Sequence, residues 1–210
     1  IGSHEFLNGY ERWCLWLGDC PPNELRTMPE AIKRIEAVKN FRLASKSAPT
    51  RKLADTATRF HVENIPESSY LVVPKVSSER RHYIPIGFMD KTTFASDLLF
   101  IVRNAEKYHF GILSSAMHMD WVRYTCGRLE GRYRYSKDIV YNNFPWPVAS
   151  EAERENIAEK AEAVLAAREK FPGSTLADLY DPNTMPPVLL KAHQALDKAV
   201  DKAYRKAAFR

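Results

Sequence analysis

The stretch GRLEGRYRYS, at residues 127–136, alternates charged and apolar side chains and decides how the middle of the chain is expected to fold. An alternation with a period of two is typical of a β-strand that is buried on one face. If residues 129–135 are extended, Glu130, Arg132 and Arg134 project from one face of the strand. The opposite face then carries the residues expected to pack, which are Leu129, Tyr133 and Tyr135.

The charged face of this stretch has the chemistry needed to recognise base pairs of DNA. An arginine pairs with O6 and N7 of guanine, and a carboxylate accepts a hydrogen bond from the N4 amine of cytosine. Glu130 and Arg132, two positions apart on one face, could therefore read both bases of one C·G pair. The alternative is a ladder of surface salt bridges, which are common in proteins.

The apolar runs on either side predict further strands and helices. Strands are expected at residues 70–74, 83–88 and 98–102. Because Pro74 and Pro85 lack a backbone donor, we expect their strands to lie at sheet edges or to carry bulges.

Two helices are expected in the first 150 residues. One covers residues 28–46, and the residues expected to face inward from it are Ile32, Ile35, Val38 and Phe41. The other covers residues 110–126, and Gly127 is expected to end it in the left-handed conformation.

The end of the chain predicts a pair of helices. Ser150 and Glu153 form a capping box that starts a helix at 150–170, and a second helix is expected at 187–207. Their apolar faces are formed by Ile157, Ala161, Val164, Leu165, Leu189, Leu196, Val200, Ala203 and Tyr204. The fold class is therefore α+β, with a mixed strand-and-helix domain at 1–149 and a C-terminal helical hairpin at 150–210.

The positive charge is concentrated in the first part of the chain. The 31 basic and 26 acidic residues give a net charge of +5, and residues 151–210 contribute ten of each sign. Residues 33–59 alone carry eight basic and two acidic side chains. Such clusters favour a polyanionic partner, with a solvated basic surface as the alternative.

Two segments are expected to contact DNA phosphates. Residues 42–52 alternate hydroxyl and basic side chains, which can donate to phosphate oxygens without reading sequence. Residues 74–81 are similar, although Arg80 and Arg81 could instead neutralise acidic groups of the fold. A flexible, solvated loop is the alternative for the first segment.

Several function classes lack their signatures in this sequence. No window of 18 apolar residues predicts a membrane span, and the three cysteines form no C-x-x-C pair. Phosphate-binding glycine loops, H-E-x-x-H and G-x-S-x-G are also missing. We therefore expect no catalytic, cofactor or metal site in this chain, and a reducing, cytoplasmic setting.

Nine motifs in consistent order resemble one known family. They are GSxEFxNG at 2–9, RxCLWL at 12–17, FRxxSK at 41–46, TRKLA at 50–54, PxVSSERRxYIP at 74–85, LSSxMHM at 113–119, GRL at 127–129, RYS at 134–136 and VYNNFPWP at 140–147. Together they resemble the target recognition domain of MmeI-like single-chain restriction–modification enzymes of type IIG (IIL). Residues 151–210 resemble the C-terminal helical segment of the same family.

The resemblance implies a role in DNA sequence recognition inside a larger bacterial enzyme. Whole members of the family carry an endonuclease domain and an adenine-N6 methyltransferase domain, and they use S-adenosylmethionine and a divalent metal such as magnesium. The implied partners are double-stranded DNA and those two domains of the same chain. A membrane is not expected among the partners. An interaction module that docks its basic face on another protein is the alternative.

The resemblance also implies roles for individual residues. One base-reading pair falls on Glu130 and Arg132, with Arg134 beside them, and a second falls on Lys75 and Asp97, which suits a G·C pair. The implied phosphate contacts are Ser45, Lys46, Arg51, Lys52, Ser77, Ser78, Arg80, Arg81 and Arg128.

Overall fold

Residues 1–205 are described by a computed structural model, and they fall into two units. The small unit is Arg12–Ile65. The main unit combines Ile1–Glu11 with the chain from Pro66 onward.

The main unit contains two small antiparallel sheets. In the first, β1 (Tyr70–Pro74) lies between β3 (Gly87–Met89) and β4 (Leu99–Val102). In the second, β6 (Arg132–Arg134) lies between β2 (Val76–Ser77) and β5 (Gly127–Leu129). The strand predictions at 70–74 and 98–102 are confirmed, whereas the run at 83–88 contributes only its last two residues to β3.

β1 does not lie at a sheet edge, contrary to the prediction from the presence of Pro74. This strand is central, yet β3 pairs only with its residues Tyr70–Val72, so Pro74 has a neighbour on one side alone, at Leu99. The missing donor of Pro74 therefore faces no second strand. Pro85 precedes β3 and belongs to no strand.

The predicted helix at 110–126 is two helices, α5 (Lys107–Leu113) and α6 (Ala116–Thr125). The break occurs because the Ser115 hydroxyl accepts a hydrogen bond from the His118 backbone N–H at 3.2 Å and begins α6 as its N-cap. Gly127 is not a left-handed cap, since it lies in β5 and its φ is outside the left-handed region.

The C-terminal helices form as predicted, as α7 (Glu151–Glu169) and α9 (Pro187–Tyr204). Ser150 and Glu153 make the reciprocal capping box. The predicted end of the second helix, at 206–207, lies outside the described residues. The polar linker holds a short helix, α8 (Leu176–Leu179), that the sequence did not indicate.

One large core joins these helices to the rest of the main unit. It contains Ile157, Ala161, Val164, Leu189, Leu196 and Val200 together with Phe110, Ile112, Tyr133 and Phe144. Leu165, Ala203 and Tyr204 are partly buried against it. Gly111 permits the close approach of α5 and α7, because a Cβ there would lie 2.7 Å from Cγ2 of Ile157. The main unit also contains α1 (Ser3–Asn8) and a π-helical turn at Lys137–Tyr141.

The small unit is built from α2 (Pro22–Leu25), α3 (Pro29–Leu43), α4 (Ala48–Lys52) and a 3₁₀ turn at Leu53–Thr56. Its buried apolar residues are two alanines, Ala31 and Ala54. The guanidinium of Arg42 donates to the carbonyls of Leu53, Thr56 and Arg59 and so ties the end of α3 to the turn.

The predicted inward face of α3 is only half correct. Ile32 and Ile35 are partly buried, whereas Val38 is 38% exposed and Phe41 is 77% exposed. Val38 lines a groove of the small unit together with Leu15, Leu17 and Phe60.

None of the helices within residues 1–205 is long and apolar enough to cross a membrane.

Candidate nucleic-acid interface

The stretch at 127–136 forms a β-hairpin instead of one continuous strand. β5 and β6 pair as Gly127 with Arg134, Arg128 with Tyr133, and Leu129 with Arg132, and the chain reverses at Glu130 and Gly131. Directly opposite residues of an antiparallel pair share a face. Arg132 and Arg134 therefore lie on one exposed face, as predicted, but Leu129 joins them there and is 42% exposed.

The other face of β6 is anchored in the core, which confirms the prediction for the two tyrosines. Tyr133 and Tyr135 are each 4% exposed. The Tyr135 hydroxyl lies 2.9 Å from Nε2 of His118, and burial lowers the pKa of that histidine to about 3, which keeps it neutral. The hairpin thus presents its arginines from a rigid support.

Glu130 occupies the turn in a conformation unusual for its residue type. Its φ of 57° lies in the left-handed region, which costs roughly 1–2 kcal/mol for a residue with a Cβ. Its carboxylate forms an ion pair with Arg132, with an O–N distance of 2.6 Å. An exposed pair of this kind contributes only about 0–1 kcal/mol. Folding stability alone therefore does not explain a glutamate at this position.

Arg128 braces the hairpin from the opposite face. Its guanidinium lies 4.1 Å from the centre of the Tyr133 ring, and it donates weakly to the carbonyls of Gly131 and Arg123, both at 3.4 Å. The side chain remains exposed, so it can reach a phosphate as well as stabilise the turn.

Lys75 connects the two sheets next to the hairpin. Its backbone N–H donates to the Leu98 carbonyl at 3.1 Å, and its own carbonyl accepts from Tyr135 at 2.8 Å. Asp97 precedes Leu98 and is exposed. The backbone thus brings Lys75 and Asp97 near each other and near Arg134, whose partner on β2 is Val76. The Lys75 ammonium lies 4.7 Å from the centre of the Phe100 ring.

Two of the predicted phosphate contacts on the main unit, Ser77 and Arg81, are poorly accessible in the structure. Ser77 is 3% exposed, and its hydroxyl is buried without a hydrogen-bond partner among the described residues, so a phosphate cannot reach it directly. Arg81 is partly buried beside Asp181; burial lowers its pKa, and the Asp181 charge raises it. Arg81 therefore fits the alternative role of neutralising an acidic group.

Two further candidates in the same segment, Ser78 and Arg80, are more accessible. Arg80 is exposed, and Ser78 is partly buried and accepts a hydrogen bond from the Arg80 backbone at 3.2 Å.

The remaining candidates lie on the small unit. Arg51 donates to the carbonyls of Ser45 and Lys46, both at 2.9 Å, and so closes their loop onto α4. Lys46 and Lys52 are exposed. This unit holds ten basic and six acidic residues, a net +4 of the total +5. Most of the positive excess thus lies within these 54 residues, a much shorter segment than the first 150 residues to which the sequence analysis assigned it.

The sequence analysis did not predict the exposure of two apolar side chains at or near the hairpin. Leu129 lies in the hairpin, and Tyr124, on the last turn of α6, is 91% exposed. A hairpin could have been predicted only from the two-residue loop between Leu129 and Arg132. Its residues, Glu-Gly, are not one of the pairs that usually form such a turn.

Among residues 1–205, no group of three or more histidine, cysteine, aspartate or glutamate side chains could hold a metal ion. The main unit is thus an α+β fold that displays guanidinium and carboxylate groups on an exposed β-hairpin.

The chain belongs to the family described as MmeI, target recognition domain, whose model matches residues 1–148. The model described as MmeI, C-terminal domain, matches residues 148–210. The resemblance drawn from the nine motifs is thus confirmed.

Similar known proteins include a curated relative and a solved structure. DNA methyltransferase A of Bacillus subtilis (strain 168) is 43% identical over 209 residues, which is 100% of this chain and 24% of that protein. A solved structure, described as the type IIL restriction-modification enzyme MmeI in complex with DNA, is 48% identical. The match has a TM-score of 0.95 and covers 97% of this chain and 27% of the chain in that structure. The chain thus spans about a quarter of the length of each.

Proposed function

We propose that this chain is the sequence-specific DNA recognition module of a larger restriction–modification enzyme, and that its β5–β6 hairpin reads bases in the major groove. The observation that carries this proposal is the near-identical fold, at 48% identity, of a protein described in complex with DNA. A two-stranded β-ribbon fits the major groove, where each base pair has a distinct pattern of donors and acceptors.

The proposed base readers are two pairs and one further arginine. Arg132 pairs with guanine and Glu130 with cytosine of one C·G pair, and the strained turn keeps the carboxylate beside the guanidinium. Lys75 and Asp97 read a G·C pair, with Lys75 on guanine. Arg134 reads a neighbouring base from the same face as Arg132.

The proposed phosphate contacts hold the duplex without reading it. On the small unit they are Ser45, Lys46, Arg51 and Lys52; on the main unit they are Ser78, Arg80 and Arg128. Ser77 and Arg81 are left out because of their burial.

The catalytic steps belong to the rest of the parent enzyme. We propose that it methylates adenine N6 with S-adenosylmethionine, that it cleaves DNA with magnesium, and that it acts in the bacterial cytoplasm. The name of the relative from Bacillus subtilis supports the methyltransferase part. The proposed domain boundary in this chain is at 149/150.

Selection of bound duplexes from a randomised pool at about 0.1 M salt tests the proposed function. We expect enrichment of a short motif that contains a C·G pair and a G·C pair at fixed positions. Binding without enrichment of a motif would mean that the chain binds DNA without sequence preference. Absence of DNA binding would favour the interaction module that docks on another protein.

A further inference from the structure

The edge strand β5 shares its exposed face with the two arginines of β6. Leu129 stands opposite Arg132, and Gly127 stands opposite Arg134. All three residues of β5 are exposed. A duplex that contacts Arg132 and Arg134 must therefore also meet the surface of β5.

The position of Leu129 is more informative than its exposure. Single exposed leucines are ordinary in proteins. Opposite residues, however, have Cβ atoms about 4.5–5.5 Å apart, whereas stacked base pairs rise about 3.4 Å. In a duplex whose axis follows the hairpin, an apolar side chain opposite Arg132 would therefore be within reach of the base pair next to the one that Arg132 reads. The apolar group that a base offers in the major groove is the 5-methyl of thymine.

Gly127 is not required by the fold. Its φ is outside the left-handed region, and a Cβ there would have Arg134 O, at 3.9 Å, as its nearest neighbour. Gly111 is the contrast, because a Cβ there would lie 2.7 Å from Ile157. Glycine also weakens a strand. The position beside Arg134 is therefore open to a group from outside the chain.

We propose that β5 is a second reading strand: Leu129 contacts the 5-methyl group of a thymine next to the C·G pair, and Gly127 leaves clearance for the base edge beside Arg134. This inference rests on the proposed function and extends base readout to two residues that carry no charge.

Uracil substitution tests the contact of Leu129. The full 210-residue chain is first used to select its motif, and each thymine of the enriched duplex is then replaced by uracil, which removes only the methyl group. We expect one replacement next to the C·G pair to weaken binding by about fourfold, the effect of burying one methyl-sized group. Leu129→Ala should bind the thymine and uracil duplexes equally, whereas Val188→Ala, a control of similar exposure on α9, should keep the fourfold difference.

The outcomes separate this inference from the proposed function. If the unmodified chain enriches no motif, the proposed function fails. If it enriches a motif without a thymine at that place, or if Leu129→Ala keeps the uracil effect, the contact of Leu129 is wrong and the proposed function stands.

Gly127→Ala tests the clearance. We expect the urea midpoint of unfolding to be unchanged or higher and the affinity for the enriched duplex to fall at least tenfold. An unchanged affinity would show that the space beside Arg134 is not used.

Discussion

Glu130 combines an unfavourable backbone conformation with a proposed contact to cytosine. Glycine adopts the left-handed region freely, and an exposed ion pair is a small compensation for the strain. A local cost at a position of this kind is expected where a side chain is needed for recognition.

Glu130→Gly separates the two effects. The relief of strain is offset in part by the lost ion pair and by the flexibility of glycine, so the free energy of unfolding should stay equal or rise by up to about 1 kcal/mol. Discrimination at the C·G pair should weaken by about 1–3 kcal/mol. Urea unfolding and competition with mismatched duplexes measure these values. A clear loss of stability with unchanged discrimination would give Glu130 a structural role.

His118 makes the stability depend on pH. Burial holds its pKa at about 3 in the folded chain, against about 6.5 when unfolded, so the unfolded state binds the extra proton as the pH falls. The free energy of unfolding should therefore decrease below about pH 6.5, by about 2 kcal/mol at pH 5 for this residue. His118→Gln should show a smaller decrease between pH 7 and pH 5 in urea titrations. An equal decrease in the variant and the unmodified chain would mean that a group other than His118 takes up the proton on unfolding.

At the level of elements, the break between α5 and α6 depends on two adjacent serines with different partners. Ser115 accepts from the His118 backbone at 3.2 Å and donates to the Ile112 carbonyl at 2.7 Å. Ser114 is equally buried, and its hydroxyl has no partner among the described residues.

The two alanine substitutions should therefore differ in sign. Ser115→Ala should lower the free energy of unfolding by about 1–2 kcal/mol, because it removes the N-cap of α6. Ser114→Ala should be neutral or stabilising, because it removes an unsatisfied buried group. If both substitutions changed the free energy of unfolding equally in urea titrations, the Ser115 cap would not be what stabilises the start of α6.

The sequence predicts those elements whose signals are local. The all-apolar run at 70–74 and the capping box at Ser150 each specify a strand or a helix start by themselves. The hairpin was missed because its polar and apolar residues keep alternating through the turn, so Leu129 was assigned to the wrong face. The exposure of Phe41 was missed because helical periodicity identifies an apolar face but not whether anything covers it.

For the candidate site, residue chemistry could be predicted and accessibility could not. Arg132 and Arg134 lie on one exposed face as expected, since period-two alternation holds within β6. The burial of Ser77 and the acidic neighbour of Arg81 depend on tertiary packing, which a motif does not reveal.

At the scale of the whole molecule, the small unit supplies most of the positive charge, with a net +4 over 54 residues. We expect this unit to contribute to the salt dependence of DNA binding without affecting which sequence is bound. Lys46→Gln with Lys52→Gln should reduce the slope of log affinity against log salt by up to about 1.8, which corresponds to two phosphates. The enriched motif should not change.

The matched control for this pair is Lys198→Gln with Lys202→Gln on α9, in the part of the chain without net charge. Its salt slope should equal that of the unmodified chain. Equal slopes for both double variants would exclude Lys46 and Lys52 as phosphate contacts.

The central claim is that the hairpin reads a C·G pair with Glu130 and Arg132. Its most direct test is a charge swap, Glu130→Lys with Arg132→Asp, followed by selection from a randomised duplex pool. We predict a motif with G·C in place of C·G at one position and all other positions unchanged. Enrichment of the original motif by the swapped chain would contradict the account.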